Sequence, residues 1–297
     1  MKYYLGIDGG GTRTTAAISD EKGNIIFKSV GKTINYYSVG MDVARENLSC
    51  ILDDIKTKTG CEIFEGAFVG CSALDDEEDA KTIEALCGGI INAKKLKMNS
   101  DVYVALASCG EEECRAVAIC GTGSMTTGVT EKGDIIVKGG WGHIIGDEGS
   151  AYSIAVNALR ACCILFDEKR EAPLIEAAKK YFGVHNFRKA IDIIYSSDTS
   201  KDKIAGFAEF VGVIESDVIA ETIIINEAHN YSRTVLSLLD DLVNCSALYL
   251  YGGVFQHNIF FRNIFEEDIR VVYPDMKIEL LTIPPEEGAL KAARDLL

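Results

Sequence analysis

One stretch of this chain occurs twice. Residues 7–28 read IDGGGTRTTAAISDEKGNIIFK, and residues 119–138 read ICGTGSMTTGVTEKGDIIVK. Each copy is an apolar run, a Gly/Thr/Ser elbow, a second β-rich run, an EKG turn and a third β-rich run, and a two-residue gap aligns them. A duplicated strand, glycine loop and hairpin predicts two related half-domains facing one another, with the two loops pinching a phosphate chain between them.

Glycines after a strand admit other readings. A dinucleotide fingerprint or a P-loop needs a helix straight after the loop, so that the helix N-terminus meets the phosphates. Here TRTTAAISD follows Gly11, β-rich and closed by a turn, and no GK[ST] occurs. The remaining reading is a hairpin in which Gly9, Gly10 and Gly11 let backbone N–H groups and the Thr12 hydroxyl approach phosphates. Asp8, at the strand end, would hold Mg²⁺ through water, because that ion prefers to keep its hydration shell. Gly121, Thr122, Gly123 and Ser124 would face this loop from the other half. A pair of Gly-rich hairpins with no ligand is the plainer alternative, and it weakens because the loops sit at matching places in both copies.

At 297 residues the chain can bury two cores. The restart at RAVAICG places the boundary near residues 110–115, giving domains 1–112 and 113–297, with the last helix (286–297) free to pack back onto the first. The net charge of −15 offers no cationic stripe to displace counterions, which excludes nucleic acid and argues against an anionic membrane surface. It does not exclude ATP, which can be held by backbone amides and Mg²⁺. Ten cysteines without a CxxC pair read as reduced thiols of a cytoplasmic protein, and no targeting or membrane-spanning run is visible.

Strands and helices alternate, and a hairpin leads each half: α/β with mixed sheets. Helices are expected over 42–58, 77–90, from Asp101, and over 149–167, 173–182, 186–195, 202–211, 216–243, 257–266 and from Glu286. Strands are expected at 66–71, 95–98, 247–251 and 277–283 besides the two hairpins. Asp101 follows a strand and opens a helix. The helix N-terminus would keep its carboxylate ionised, as for a base, although most Asp residues at such positions are simple caps. Asp147 and Glu148, between Gly146 and Gly149, likewise read as capping residues or as ligands.

The run Gly139–Ser153, GGWGHIIGDEGSAYS, resembles the GGWGHxxGDEGSAYW signature of the N-acetylglucosamine kinase branch of the BadF/BadG/BcrA/BcrD ATPase family, within the sugar kinase/heat-shock chaperone/actin superfamily. GIDGGGTRT, Asn35 in TINYY, Asp101, GTGS and YGGVF carry the same resemblance, which spans essentially the whole chain. It implies two duplicated ribonuclease H-like (actin-like ATPase) domains with an interdomain nucleotide cleft. It further implies an ATP- and Mg²⁺-dependent kinase that phosphorylates the 6-hydroxyl of an N-acetylated amino sugar, with Asp101 as general base. Phosphoryl transfer needs mainly alignment, charge neutralisation and a proton acceptor, which such a constellation supplies. Asn35, Gly140, Trp141 and Asp147 would meet the sugar, with Trp141 supporting the loop. Gly252 and Gly253 would lie against the nucleoside. His143 reads as a packed residue. A homodimer is implied by the relatives alone.

Three departures from the family pattern bear on the substrate. Asn35-Tyr36-Tyr37 stands where the family commonly has NHW, Val102, Tyr103 and Val104 follow the aspartate in place of small residues, and His257 is inserted after the adenosine loop. N-acetylmuramate, N-acetylmannosamine or glucosamine are therefore candidates beside N-acetylglucosamine. A different class of function is a BadF-type ATPase that energises a partner enzyme through a shared [4Fe–4S] cluster, but Cys109, Cys114 and Cys120 form no recognisable cluster motif. A sensor without turnover is a third reading.

Overall fold

The computed structural model describes residues 2–73, 80–109, 114–213, 217–281 and 283–296. The chain forms two compact units, residues 1–111 with 281–297 and residues 112–280. The boundary expected near 110–115 falls largely outside the described residues, as do parts of the helices expected from 77 and 216.

The first unit runs β1 (Tyr3–Gly9), β2 (Arg13–Asp20), β3 (Ile25–Lys32), α1 (Tyr36–Val39), α2 (Met41–Thr59), β4 (Phe64–Cys71), α3 (Ala80–Cys87), β5 (Ala93–Asn99) and α4 (Asp101–Ala107). Its five strands lie in the order β3-β2-β1-β4-β5, with the hairpins antiparallel and β1, β4 and β5 parallel. Period-two alternation along β1 sorts its side chains. Leu5 and Ile7 face Leu48, Ile51 and Ile55 of α2, whereas Tyr4 packs with Val104 of α4 on the other face. Asp8 shares the Tyr4 face by the same alternation.

That second face is closed by the end of the chain. The last helix, α13 (Pro285–Asp295), belongs to the first unit, where Ala289, Leu290 and Ala293 join Tyr4, Phe68 and Val104 in one buried cluster. Of the two places the sequence left open for the last helix, the structure has the one on the first unit. Apolar burial draws it there: a fully buried leucine contributes about 1.5–3 kcal/mol. A missing side chain on the strand lets it come close. A Cβ on Gly6 would overlap the backbone nitrogen of Leu290 and stand 2.7 Å from the Glu286 carbonyl oxygen.

The second unit repeats the plan. It runs β6 (Arg115–Cys120), β7 (Ser124–Val129), β8 (Ile135–Gly139), α5 (Ala151–Asp167), α6 (Pro173–Phe182), α7 (Ala190–Ile194), α8 (Lys201–Ala205), α9 (Phe207–Val211), α10 (Val218–Asp241), β9 (Ala247–Tyr251), α11 (Gly253–His257), α12 (Ile259–Val272) and β10 (Lys277–Leu280). The sheet order β8-β7-β6-β9-β10 reproduces that of the first unit, with β6 in the place of β1. Ala116, Ala118 and Cys120 of β6 alternate into a core built with Ile154 and Ala158 of α5, Tyr231 and Val235 of α10, and Phe261 and Phe265 of α12.

Helix boundaries differ from expectation where a backbone group meets a neighbour. The helix expected over 202–211 is two, α8 and α9, parted at Gly206, where a Cβ would overlap the Tyr181 hydroxyl. The helix expected over 257–266 is α12, which starts at Ile259 and runs on to Val272. Asn258 separates it from α11 and caps it, its Oδ1 accepting the Phe261 N–H at 2.9 Å. The stretch expected as a helix over 186–195 opens with a single 3₁₀ turn, Phe187–Lys189, before α7. Among the described residues no helix is long and apolar enough to cross a membrane.

Gly6→Ala should destabilise the protein by about 1–3 kcal/mol, because the clash is with backbone that cannot rotate away. A Cβ on Gly11 meets nothing within 4 Å, so Gly11→Ala should leave the melting temperature unchanged. Thermal denaturation of the two variants beside the parent checks both outcomes.

Candidate active site

In the first unit the relevant groups gather on the α4/α13 face of the sheet. Asp101 is the first residue of α4, and the cap position itself is Ser100. The backbone N–H groups of Val102 and of Asp101 itself favour the anionic form of the Asp101 carboxyl. Burial nevertheless raises it to about 6, because desolvation of the anion outweighs their effect. Asp8 is pushed further, to about 7, first by burial and then by the carboxylates of Asp101 and Glu286, with Arg13 acting in the opposite direction. Glu286, in the first turn of α13, is buried and accepts from Lys28 Nζ at 2.9 Å. Two helix starts therefore bring the carboxylates of Asp101 and Glu286 into electrostatic range of Asp8 at the strand end.

The Gly9–Thr12 elbow joins β1 to β2, with Thr12 exposed and the Gly10 carbonyl oxygen accepting from Thr33 Oγ1 at 2.7 Å. Asn35 is buried and already employed. Its Oδ1 accepts the Ser38 N–H at 3.1 Å to cap α1, and its Nδ2 donates to Ser72 Oγ at 3.0 Å. Tyr37 beside it is 79% exposed.

In the second unit three glycine-containing segments converge. Gly252 has a φ of 113°, and a Cβ there would overlap the Cys120 carbonyl group and stand 3.0 Å from the Gly121 nitrogen. The turn before α11 thus lies backbone to backbone against the Gly121–Ser124 loop, with Gly253 beside it. The Gly139–Gly149 segment is tied to the same loop. Gly140 N–H donates to the Ser124 carbonyl oxygen at 3.2 Å, Ser124 Oγ to that of Glu148 at 2.7 Å, and Ala151 N–H to that of Gly121 at 2.9 Å. Cys120 Sγ donates to the Gly149 carbonyl oxygen at 3.1 Å, so this thiol is part of the loop packing.

Asp147 is at the centre of that segment. It is buried, its φ is +61°, and its Oδ1 accepts the Gly142 N–H at 3.1 Å. Gly123 carries no side chain where a Cβ would stand 2.6 Å from Asp147 Oδ2. Burial raises the Asp147 carboxyl above the usual range. A non-glycine residue in the left-handed region is strained, and such strain concentrates at functional sites. Trp141 does not brace the loop: its side chain is 75% exposed, and Ile144 and Ile145 are 85% and 77% exposed. The loop therefore projects an apolar rim around a buried carboxylate. His143 is half-buried, edge-on to Tyr152 at 4.7 Å between ring centroids.

A sequence model of the BadF/BadG/BcrA/BcrD ATPase family matches residues 5–293. The chain belongs to that family. Over 99% of each chain it is 28% identical to the N-acetylmuramic acid/N-acetylglucosamine kinase of Clostridium acetobutylicum. It is 26% identical to the N-acetyl-D-glucosamine kinase of Dictyostelium discoideum, over 97% of this chain and 96% of that one. In fold it is similar to a crystal structure from Chromobacterium violaceum described as a candidate N-acetylglucosamine kinase, with a TM-score of 0.76, 18% identity and 98% of both chains covered. The mixed sheets and duplicated hairpins are those of an actin-like ATPase.

Several site-bearing residues of this family member escape sequence reading. Glu286 charges the surroundings of Asp8 and pairs with Lys28, yet each reads locally as an ordinary surface residue. Glu227 and Tyr231 of α10 are buried and reach the loops directly. Glu227 Oε2 accepts the Gly149 N–H at 2.7 Å, and the Tyr231 hydroxyl lies 2.9 Å from the Ile119 carbonyl oxygen and 2.8 Å from that of Met125. The available signal was a glutamate amid the apolar positions of a long helix.

The raised carboxyls carry a stability consequence with a definite sign. The folded protein holds on to protons at Asp8 and Asp101 that the unfolded chain has already released, so these groups favour folding at low pH. Their contribution is lost as pH rises from about 4 through about 6 and 7. Asp8→Asn should therefore raise the melting temperature of the ligand-free protein at pH 8 and change it little at pH 4. Differential scanning calorimetry at the two pH values reads the difference.

Proposed function

We propose that this family member is an ATP-dependent kinase of an N-acetylated amino sugar, acting at the 6-hydroxyl. The observation that carries the reading is the pair of duplicated phosphate-type loops, each with a glycine that the protein itself does not require. At Gly11 and Gly121 a Cβ would meet nothing within 4 Å, and neither has a positive φ. Space is kept free at equivalent elbows of both units, as close approach of a phosphate to the backbone needs.

In this reading ATP binds through Gly9–Thr12 and Gly121–Ser124, with Gly252 and Gly253 against the nucleoside. Asp8 fits a Mg²⁺ site held through water and phosphate oxygens: it is a hard oxygen donor whose neighbouring carboxylates make a cation favourable there. Mg²⁺ would neutralise charge on the β- and γ-phosphates. Asp101, titrating near 6, is ionised at neutral pH yet basic enough to accept the hydroxyl proton. As that proton moves to Asp101, the sugar oxygen bonds to the γ-phosphorus and the bond to the β-phosphate oxygen breaks, releasing ADP. Asp147 accepts from sugar hydroxyls with the lone pairs that Gly142 leaves open. The exposed Trp141, Ile144 and Ile145 offer an apolar surface for the acetyl methyl group. Asn35 holds α1 in place and has one amide proton left for the sugar.

N-acetylglucosamine is the first candidate acceptor, with N-acetylmuramate, N-acetylmannosamine and glucosamine beside it, since Tyr36 and Tyr37 follow Asn35 where the family commonly has His and Trp. Tyr103 stacks on Phe68 at 5.3 Å, which turns its bulk into the unit's own core. The names of the relatives support this substrate class. The homodimer and the cytoplasmic setting belong to the same reading, and light scattering on the purified chain tests the first.

ADP release with ATP and Mg²⁺ should depend on one member of a panel of these four sugars and glucose. Asp101→Asn should lower it by about 10²–10⁴-fold. In the parent, kcat should fall with unit slope below about pH 6, as Asp101 becomes protonated. Gly121→Ala should raise the ATP KM while leaving the melting temperature unchanged. ADP release indifferent to every sugar would sink the kinase reading in favour of an ATPase that activates a partner.

A further inference from the structure

Glu227 lies outside every motif, on the middle of α10, and is 3% exposed. Both of its carboxyl oxygens are engaged: Oε2 accepts the Gly149 N–H at 2.7 Å, and Oε1 accepts from Asn157 Nδ2 of α5 at 2.7 Å. Burying a carboxylate is costly unless such bonds are made. Helix α10 has no need of one here, since the neighbouring inward positions Ile224, Ala228 and Tyr231 already pack into the apolar core. The group therefore serves the residue it reaches.

That residue is two positions from Asp147. Gly149 has a φ of 79°, and the Tyr231 Cβ would stand 2.5 Å from any Cβ on it. Between the two, Asp147 is kept at a φ of +61°, a conformation that costs an ordinary residue about 1 kcal/mol or more and persists only where the surroundings over-determine it. From within the loop, Gly142 N–H holds the Asp147 carboxyl and Ser150 N–H holds its carbonyl oxygen at 3.1 Å. From outside, Ser124 Oγ and Cys120 Sγ hold the Glu148 and Gly149 carbonyl oxygens, and the Glu227 carboxyl takes the Gly149 N–H, a bond to an acid that is stronger than those between neutral groups.

We propose that Glu227 is a positioning residue for the acceptor site: through the Gly149 N–H it fixes the Asp147-Glu148-Gly149 turn and so aims the Asp147 carboxyl. The inference rests on the kinase reading for its substrate and on the geometry of this unit for the linkage. The nucleotide loop has its own restraints, from Gly121 N–H to the Gly123 carbonyl oxygen at 2.9 Å and from Tyr231 to the strands on either side. Ser124 Oγ links this loop to the Glu148 carbonyl oxygen at 2.7 Å, but with those restraints of its own the loop keeps its shape, and loss of Glu227 acts on the sugar more than on ATP.

The test compares the parent with Glu227→Gln, which keeps shape and one acceptor, and Glu227→Met, which removes both. Sugar KM, ATP KM and kcat are measured with the acceptor found by the panel, and exchange of the Gly149 amide hydrogen is followed in the ligand-free protein. Losing both acceptors in the Met variant should raise the sugar KM at least about tenfold and losing the charge in the Gln variant about threefold, with ATP KM within about twofold. Gly149 exchange should quicken in the same order. Should the Met variant not fold, the Gln variant decides alone. An unchanged sugar KM in the Gln variant overturns the proposal, as does an equal rise in both KM values, which would mark Glu227 as a general support of the fold. Should the parent release no ADP with any sugar, the kinase reading fails by itself. The exchange measurement then decides separately: unaltered Gly149 exchange overturns the linkage, and quickened exchange sustains it.

Discussion

The second unit depends on one close approach: the backbone of Gly252 lies directly against that of Cys120 and Gly121. No residue with a side chain could bring the end of β9 so near the end of β6 in this conformation. Once the two strand ends meet, the carbonyl oxygens of the Gly121–Ser124 loop are turned toward α5 and the segment leading into it. Gly121 and Thr122 accept from the first residues of α5, and Ser124 both donates to and accepts from the Gly139–Gly149 segment. The Gly121–Ser124 loop, the Gly139–Gly149 segment and the start of α5 are therefore one hydrogen-bonded assembly within this unit, built mainly from main-chain groups.

The first unit is organised by charge. Period-two alternation along β1 puts Asp8 on the face covered by α4 and α13, and both helices begin with a carboxylate there. Burial is the main reason that Asp8 and Asp101 hold protons above the usual carboxylate range, and for Asp8 the charges of Asp101 and Glu286 add to it. Buried charge of this kind costs stability and is common at functional sites.

Much of this was legible in the residues. The duplicated hairpins, the strand–helix alternation and the long amphipathic helices arise from patterns a few residues wide, and the structure has them. Helix breaks at Gly206 and Asn258 were not legible, because their cause is a tyrosine hydroxyl and a cap rather than a local propensity. Trp141 is a similar case. A lone tryptophan among glycines suggests a buried brace, yet the tight turn from Gly139 to Gly149 leaves no core beneath it, and it projects outward with Ile144 and Ile145. Asn35 shows the converse, since its place in a turn already explained its side chain.

By itself the sequence determined the α/β class, the twofold repeat and the identity of the acidic and glycine-rich segments, because each is written in contiguous residues with a fixed period or spacing. Tertiary structure alone decided which acids share a face, that the last helix returns to the first unit, and that Glu227 reaches the turn beside Asp147. Those facts join residues far apart in the chain. Their cause is burial: packing α13 on β1 and α10 beneath the loops brings together groups whose neighbours along the chain say nothing of one another.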